Sequence, residues 1–365
     1  LIATEPFYVG MHTSVELFSV VISFLIFAIG WNTWHFTRNS KLLLLSCLML
    51  CVAIFDALHF LSFSSVSDHE KNMEQVFAFW LFARFFNAAA FLVIATAIWL
   101  NYKLFNARVV LSTLLSVTAC IVAVVFYFPD WLPTLYIEGG GSSQQKWLIE
   151  ITLITLYSLA ACMFASQLRK PRNTLNIAGK TLVCLLAILS EACFTLYNDA
   201  SHVTDTLNFF GHIYKGLTYF LLYKIVFVET VIKPYADLEN STEQLSATLT
   251  ALPDSVFELE RDGTFKTIYS DNSPSRVFSN NVLGHNICQL FAPQYAPQFI
   301  HSLQQNHLFG LFTIDALPLL INGRTHHFEF SVTLFTYENE HETYLVVARD
   351  VTEKNRANGS TASTK

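Results

Sequence analysis

Long apolar stretches separated by short polar loops occupy residues 1–230. Each stretch approaches or exceeds the roughly 20 residues that a helix needs to cross a bilayer. The stretches cover residues 12–35, 42–64, 75–100, 107–129, 147–168, 176–198 and 207–230. The pattern therefore predicts an all-α bundle of seven transmembrane helices.

The pattern changes after residue 230. Apolar positions three and four residues apart continue through 231–252, a weak heptad repeat that predicts a helical connector. The repeat consists of Tyr235, Leu238, Thr242, Leu245, Leu249 and Leu252. Either a single amphipathic helix or a parallel two-helix coiled coil fits this repeat, and the coiled coil would make the protein a homodimer.

Residues 253–356 read as a small α+β domain. Apolar and polar residues alternate over 255–260 and 264–270, with a turn at Asp262-Gly263, which predicts a hairpin. A helical stretch covers 286–306, and strand-like alternation covers 326–335 and 342–351. A turn at Asn322-Gly323 separates the segments that come before the first of these two strands. The polar residues 357–365 predict a disordered tail.

The short loops indicate the orientation of the bundle, because cytoplasmic loops are enriched in Lys and Arg. Loops on one side hold seven such residues, and those on the other side hold only Lys71 and Lys146. The seven are Arg38, Lys41, Lys103, Arg108, Arg169, Lys170 and Arg172. We therefore expect the N-terminus outside, and the C-terminus and the α+β domain in the cytoplasm.

Charge supports the same division. Residues 1–230 hold 13 basic and 13 acidic side chains and are neutral overall. The remaining 135 residues hold 9 basic and 15 acidic side chains and so carry the whole net charge of −6. The absence of a basic block excludes a nucleic-acid binder that relies on positive charge. Seven cysteines without ligand or disulfide spacing are expected to be small apolar packing residues.

Ionisable residues recur at one depth within the predicted spans, roughly 3–14 Å below the outer surface at 1.5 Å per residue. They come from five helices and are His12, Glu16, Asp56, His59, Arg84, Glu191, His212 and Lys215. Such residues are costly in a bilayer and normally pair or face a cavity. With neutral histidines they sum to −1, which would suit a cation, a cationic ligand or a proton.

This layer has several interpretations. It could be a structural network, or a site for a small ligand or ion. His12, His59 and His212 could bind a metal, or two of them a haem iron. Lys215 could form a retinal Schiff base, although pairing with a carboxylate is favoured. A transporter or proton channel is disfavoured, because the inner halves of the spans hold few ionisable residues.

The soluble part resembles a PAS domain over about 250–356. The matching segments are LPDSVFELERDGTF, GHNICQLF and the closing RDVTEKNR. In the flavin-binding members that GHNICQLF loosely resembles, the reactive cysteine directly follows the asparagine. Here Ile287 intervenes before Cys288, so we expect no flavin.

The membrane part resembles the third type of bacterial membrane-associated sensor domain, the MASE group, over about 10–240. Matching segments are HTSVELFSVVISFLIFAIGWNT, FDALHFLSF, ARFFNA and GHIYKGLTYFLLYKIVFVETVIKPYADLE. The resemblance implies roles for His12, Glu16, Asn32, Asp56, His59, Arg84, His212 and Lys215. Proteins of this kind usually continue into a histidine kinase or a GGDEF cyclase, but no such motif follows residue 356.

We therefore expect a non-catalytic sensory module of a bacterial inner-membrane signalling protein, whose output domain is absent, truncated or supplied by a partner. Its partners would be the lipid bilayer, a second copy of the chain and an unidentified small ligand or ion. The sequence does not identify a cofactor; a metal ion or a haem in the membrane part would both fit. The alternative is a membrane redox protein that uses the His/Glu/Asp layer.

Overall fold

The computed structural model describes residues 5–64, 73–100, 106–137, 141–168, 174–196, 206–272, 278, 280–305, 310–321, 324–336 and 342–354. It divides into two compact units, Leu1–Ala236 and Asp237–Lys365. The first is helical and the second is built on a sheet. Several predicted features lie outside the described residues, namely Lys71, Lys103, Arg169, Lys170, Arg172, the Asn322-Gly323 turn and the tail.

The described residues of the helical unit form seven long helices. They are α1 (Glu5–Thr37), α2 (Ser40–Ser64), α3 (Met73–Trp99), α4 (Ala107–Tyr127), α5 (Gln144–Gln167), α6 (Thr174–Leu196) and α7 (Thr206–Phe227). Within the described residues, α1 to α6 are long and apolar enough to cross a membrane. The helix α7 is not among them, because polar residues such as His212, Lys215 and Lys224 lower its mean hydropathy. The seventh crossing therefore stays a prediction.

Six of these helices form a closed ring, in which each packs against the next in the order α1, α2, α3, α5, α6 and α7, and α7 returns to α1. The helix α4 lies outside this ring and packs mainly against α2, with a smaller contact to α3. Between α4 and α5 lies a short hairpin of β1 (Tyr136–Ile137) and β2 (Gly141–Ser142). The ring places the inward faces of α1, α2, α3, α6 and α7 around one interior.

The helices α1 and α2 pack closely at Gly30. A Cβ atom at this position would lie 2.6 Å from Ser46 Cβ and would also clash with Ser46 Oγ. Ser46 cannot easily move away, because its hydroxyl donates to Leu42 O at 2.9 Å. Small residues at such positions allow helix backbones in membranes to approach each other.

We therefore expect Gly30→Ala to force α1 and α2 apart and to destabilise the helical unit by about 1–3 kcal/mol. The matched control is Gly10→Ala on the same helix, where a Cβ would meet nothing within 4 Å. The apparent melting temperature in detergent, followed by tryptophan fluorescence, measures both. Equal melting temperatures for the two variants would contradict the close-packing argument.

Beyond α7 the chain stays helical through a π-helical turn at Val228–Ile232 and then α8 (Lys233–Ala251). No residue of α8 is buried. Its apolar side chains at the heptad positions are among those exposed, including Tyr235, Leu238 and Leu245. The sequence thus located the connector helix but did not reveal the π-helical turn.

The second unit holds a five-stranded antiparallel sheet in the order β4-β3-β7-β6-β5. The strands are β3 (Ser255–Glu260), β4 (Phe265–Asp271), β5 (Leu311–Ile321), β6 (Arg324–Thr336) and β7 (Glu342–Asp350). The predicted hairpin is confirmed as β3 and β4. The helical stretch predicted over 286–306 consists of a 3₁₀ turn at Ile287–Leu290 and α9 (Ala296–Gln305).

Phenylalanine rings fill the core of this unit. Phe257 on β3 lies 5.0 Å from Phe265 and 4.7 Å from Phe278 between ring centroids. Phe330 on β6 packs in the same way against Phe299 on α9, at 5.1 Å. Burial of such large rings dominates core energetics, so these contacts hold the helical segments onto one face of the sheet.

The closing Arg-Asp-Val-Thr segment, residues 349–352, makes ion-pair and hydrogen-bond contacts at the end of β7. Arg349 on β7 donates to both carboxylate oxygens of Asp254, at 2.9–3.2 Å. Asp350 accepts from the Thr352 amide at 2.9 Å and from the Thr352 hydroxyl. Burial raises the pKa of Asp350, but hydrogen bonds from Thr352 and His326 outweigh it and lower this pKa below its ordinary value. Asp350 is therefore held as the ionised acceptor that this turn needs.

Candidate functional site

An ion-pair network around Lys215 lies inside the ring of helices. The Lys215 ammonium on α7 is 2.5 Å from Glu16 Oε2 on α1 and 3.0 Å from Asp56 Oδ1 on α2. Tyr219, one turn further along α7, donates to Asp56 Oδ2 at 3.0 Å. All four side chains are fully buried. Two carboxylates and one ammonium leave this network with a formal charge of −1.

Three histidines adjoin this network on one side. The His12 ring lies 4.5 Å from the His212 ring and 6.0 Å from the His59 ring, between centroids. His212 Nδ1 is 3.1 Å from Glu16 Oε1, the carboxylate oxygen that does not face Lys215. His12, Glu16 and His212 each place one donor atom within 4.8 Å of the others. This set is chemically suited to a cation.

The third histidine, His59, has a defined tautomer. Its Nδ1 atom lies 2.9 Å from the backbone oxygen of Val76 on α3. A carbonyl oxygen can only accept, so Nδ1 carries the proton and Nε2 keeps a lone pair. That Nε2 atom is buried and has no hydrogen-bond partner among the described residues.

A second buried ion pair joins α3 to α6. Arg84 Nη1 lies 3.3 Å from Glu191 Oε1, and both side chains are almost completely buried. The guanidinium also lies over the rings of Trp80 and Phe194, at 5.6 and 5.1 Å from their centroids. Phe194 in turn packs against the His212 ring at 5.1 Å. The Arg84 pair is thus separated from the histidines by one aromatic ring.

The structure places eight of the nine predicted residues in this buried region and leaves one elsewhere. Asn32 is exposed near the other end of α1, where its amide donates to Ala28 O at 2.7 Å. Of the eight buried residues, all but Arg84 lie toward the first residues of α1 and α7 and toward the last residues of α2 and α6. Arg84 lies nearer the middle of α3. Equal depth along the spans was the signal that located them.

Sequence reasoning missed or misjudged other members of this region. Lys146, counted above as a loop residue, is buried in the first turn of α5, where its ammonium lies 2.7 Å from Glu150 Oε1. Its spacing of four residues from Glu150 was the available signal. Tyr219 gave no sequence signal, because a tyrosine in an apolar helix is unremarkable until its acceptor, Asp56, is known.

Buried ion pairs within apolar helices define a membrane protein with a polar interior, joined in one chain to an α+β unit. The chain belongs to the membrane-associated sensor domain family MASE3, whose model matches residues 4–234. The resemblance stated above is thereby confirmed, and a lipid bilayer is the environment of this part of the chain. No curated protein matches the chain in sequence.

Solved PAS domains are similar to the C-terminal region. The PAS domain of an HTR-like protein from Haloarcula marismortui is 20% identical, and the match covers 32% of this chain and 98% of that one, with a TM-score of 0.28. The PAS domain of Bordetella pertussis BvgS is 14% identical, and the match covers 34% of this chain and 99% of that one, with a TM-score of 0.25. A sensory box sensor histidine kinase from Vibrio cholerae is 18% identical, and the match covers 33% of this chain and 98% of that one, with a TM-score of 0.23.

The chain therefore carries a membrane-associated sensor domain followed by an α+β unit. Sensor domains of this kind are typically not catalytic. The network around Lys215 and the neighbouring histidines form its candidate input site.

Proposed function

We propose that this chain is the input module of a bacterial inner-membrane signalling protein, and that the buried network around Lys215 is its ligand or ion site. The observation that carries the proposal is the excess negative charge of Glu16, Asp56 and Lys215, fully buried beside three histidines. Buried charges without full compensation are costly, so selection for stability alone would not favour them. Binding of a cation or cationic ligand would compensate them.

The proposed orientation has the N-terminus outside and the PAS-like unit in the cytoplasm. It is supported by Arg38, which is exposed just after α1, and by Arg108, which is exposed in the first turn of α4. Burial of Lys146 removes one of the two positive charges counted on the other side and so strengthens the asymmetry. The input site then belongs to the outer half of the bundle.

A relay from this site to the PAS-like unit would run along α7. Lys215 is on α7, and the same helix leads into the π-helical turn Val228–Ile232. Such turns are frequent at functional sites in helices. Here the turn is held by an ion pair between Glu229 Oε1 and Lys180 Nζ on α6, at 2.5 Å. A shift of α7 against α6 would strain or break this pair.

The relay would continue through a homodimer. The heptad positions Tyr235, Leu238 and Leu245 on α8 are exposed, and no described residue of this helix is buried. Most helical stability in proteins comes from packing of an apolar face, which α8 does not bury within this chain. Pairing with a second copy through Leu238, Leu245 and their neighbours would bury the apolar positions.

Hydrogen exchange of the full chain in lipid nanodiscs tests the proposal. Glu16→Ala and His59→Ala should change exchange over 228–251 by about fivefold, the factor that about 1 kcal/mol gives. Adding Lys180→Gln should reduce this change, because the α6 contact of the turn is lost. The control is His35→Ala, since His35 is exposed at the other end of α1.

Insertion must be intact for this comparison, so each variant is first checked for extraction from membranes as a monodisperse species. Exchange over 228–251 that matches the wild-type protein in both input variants would reject the relay. Exchange that changes equally in the His35 variant would reject the specific role of the site.

The redox alternative is not favoured. His12 and His212 are in direct ring contact, with centroids 4.5 Å apart. Axial ligands to a haem stand on opposite faces of the porphyrin, and rings already in contact leave no room for that plane between them.

A further inference from the structure

We propose that His12, Glu16 and His212 bind a divalent transition-metal ion of the class that zinc represents. This inference deepens the proposed function, and it rests on that proposal in taking the same buried network as the input site. Two imidazoles and one carboxylate are a ligand set that Zn²⁺ uses in proteins. The three donor atoms lie within 4.8 Å of one another and all three residues are buried.

The distance between His212 and Glu16 is close to that of two ligands on one ion. His212 Nδ1 and Glu16 Oε1 are 3.1 Å apart and pair with each other in the structure. Ligands 2.0–2.2 Å from a tetrahedral Zn²⁺ stand about 3.3–3.5 Å from each other. The pair is slightly closer than two such ligands, so an ion would separate the two atoms a little and replace their direct contact. The His12 donor lies within 4.8 Å of both.

Neighbouring residues orient the ligands in the manner of metal sites. Lys215 holds Glu16 Oε2 at 2.5 Å, which directs Oε1 toward the histidines. Asp56 shares the Lys215 ammonium at 3.0 Å, so that ammonium is already compensated. Metal-bound carboxylates and imidazoles are usually fixed by such outer hydrogen bonds.

His59 offers a fourth donor. Its protonated Nδ1 is bound to Val76 O at 2.9 Å, which is the usual backbone partner of a metal-binding histidine. Its Nε2 keeps a buried lone pair without a hydrogen-bond partner among the described residues. The His59 ring lies 6.0 Å from that of His12, so His59 is the nearest candidate for a fourth ligand.

The charges also agree. Glu16, Asp56 and Lys215 sum to −1, and the nearby Arg84–Glu191 and Lys146–Glu150 pairs are each neutral. A divalent ion changes the sign of the network from −1 to +1 and so alters the forces between α1, α2 and α7. That change of force is the physical means by which binding would favour one arrangement of these helices.

Zinc binding to the full chain in nanodiscs, after removal of metals with a chelator, tests the inference. Calorimetric titration with Zn²⁺ alone should give one ion per chain. The affinity should fall by about tenfold or more in His12→Gln and His212→Gln, because each removes a ligand. The control is His35→Gln, an exposed histidine on α1 that should leave the affinity unchanged.

Titration with Co²⁺ gives a second measurement that does not depend on affinity. Its visible absorption should report a site of nitrogen and oxygen ligands in the wild-type protein, and this absorption should change in Glu16→Gln. Absence of stoichiometric Zn²⁺ binding to the folded wild-type protein, or equal binding by the His12 and His212 variants, would overturn the inference.

The two proposals fail separately. Stoichiometric Zn²⁺ that leaves exchange over 228–251 unchanged would support the metal site and reject the relay. Input variants that change this exchange in a protein unable to bind Zn²⁺ would support the relay and reject the metal.

Discussion

Substituting Lys215 by methionine is expected to destabilise the helical unit by about 3–5 kcal/mol, since a buried pair loses one partner. The Lys215 ammonium contacts Glu16 and Asp56 at 2.5 and 3.0 Å, and all three side chains are fully buried. Without it, two carboxylates would remain in a medium that solvates them poorly. The apparent melting temperature in detergent measures this loss.

The matched control is Lys224→Met, on the same helix but exposed, which should leave the melting temperature nearly unchanged. The double variant Lys215→Met with Asp56→Asn should recover part of the loss, because one uncompensated charge is removed. Wild-type stability in Lys215→Met would show that the carboxylates are compensated by something other than this lysine.

The second large effect is expected at Arg84. Arg84→Met leaves Glu191 buried without its cation and removes the guanidinium from the rings of Trp80 and Phe194. A loss of about 3–5 kcal/mol is expected from the unpaired charge. The same melting experiment measures it, with the exposed Arg108→Met as control.

The double variant Arg84→Met with Glu191→Leu should be much closer to the wild-type protein than Arg84→Met alone. Replacing a whole buried pair by apolar residues is often neutral or stabilising. A double variant as unstable as the single one would mean that Arg84 acts mainly through packing on Trp80 and Phe194. That outcome would contradict the electrostatic account.

The sequence predicted the buried cluster through depth. An apolar helix rises by a constant amount per residue, so counting from span ends places side chains at comparable heights. This argument located Glu16, Asp56 and Lys215, which the structure joins in one network. It could not predict which partner each residue takes, because depth says nothing about the rotation of a helix or its neighbours.

The family resemblance included one residue in the predicted site that the depth argument did not. Asn32 matches the family segment, yet the structure places it at the other end of α1, exposed and bonded to its own helix. Lys146 shows the opposite case, since its position at a span end predicted a loop whereas Ser143 starts the helix early enough to bury it beside Glu150. Span ends are poorly defined by hydropathy, because capping decides where a helix begins.

The sequence by itself determined the alternation of apolar spans and loops, the change to period-two strands after residue 253, and the β3–β4 hairpin with its Asp262-Gly263 turn. These are local properties, set by hydrophobic period and turn chemistry. Only the tertiary structure decided that α4 lies outside the ring, that Tyr219 binds Asp56, and that Lys215 bridges two carboxylates. Those facts depend on which helix faces meet, and apolar faces of similar hydropathy do not encode their neighbours in local pattern.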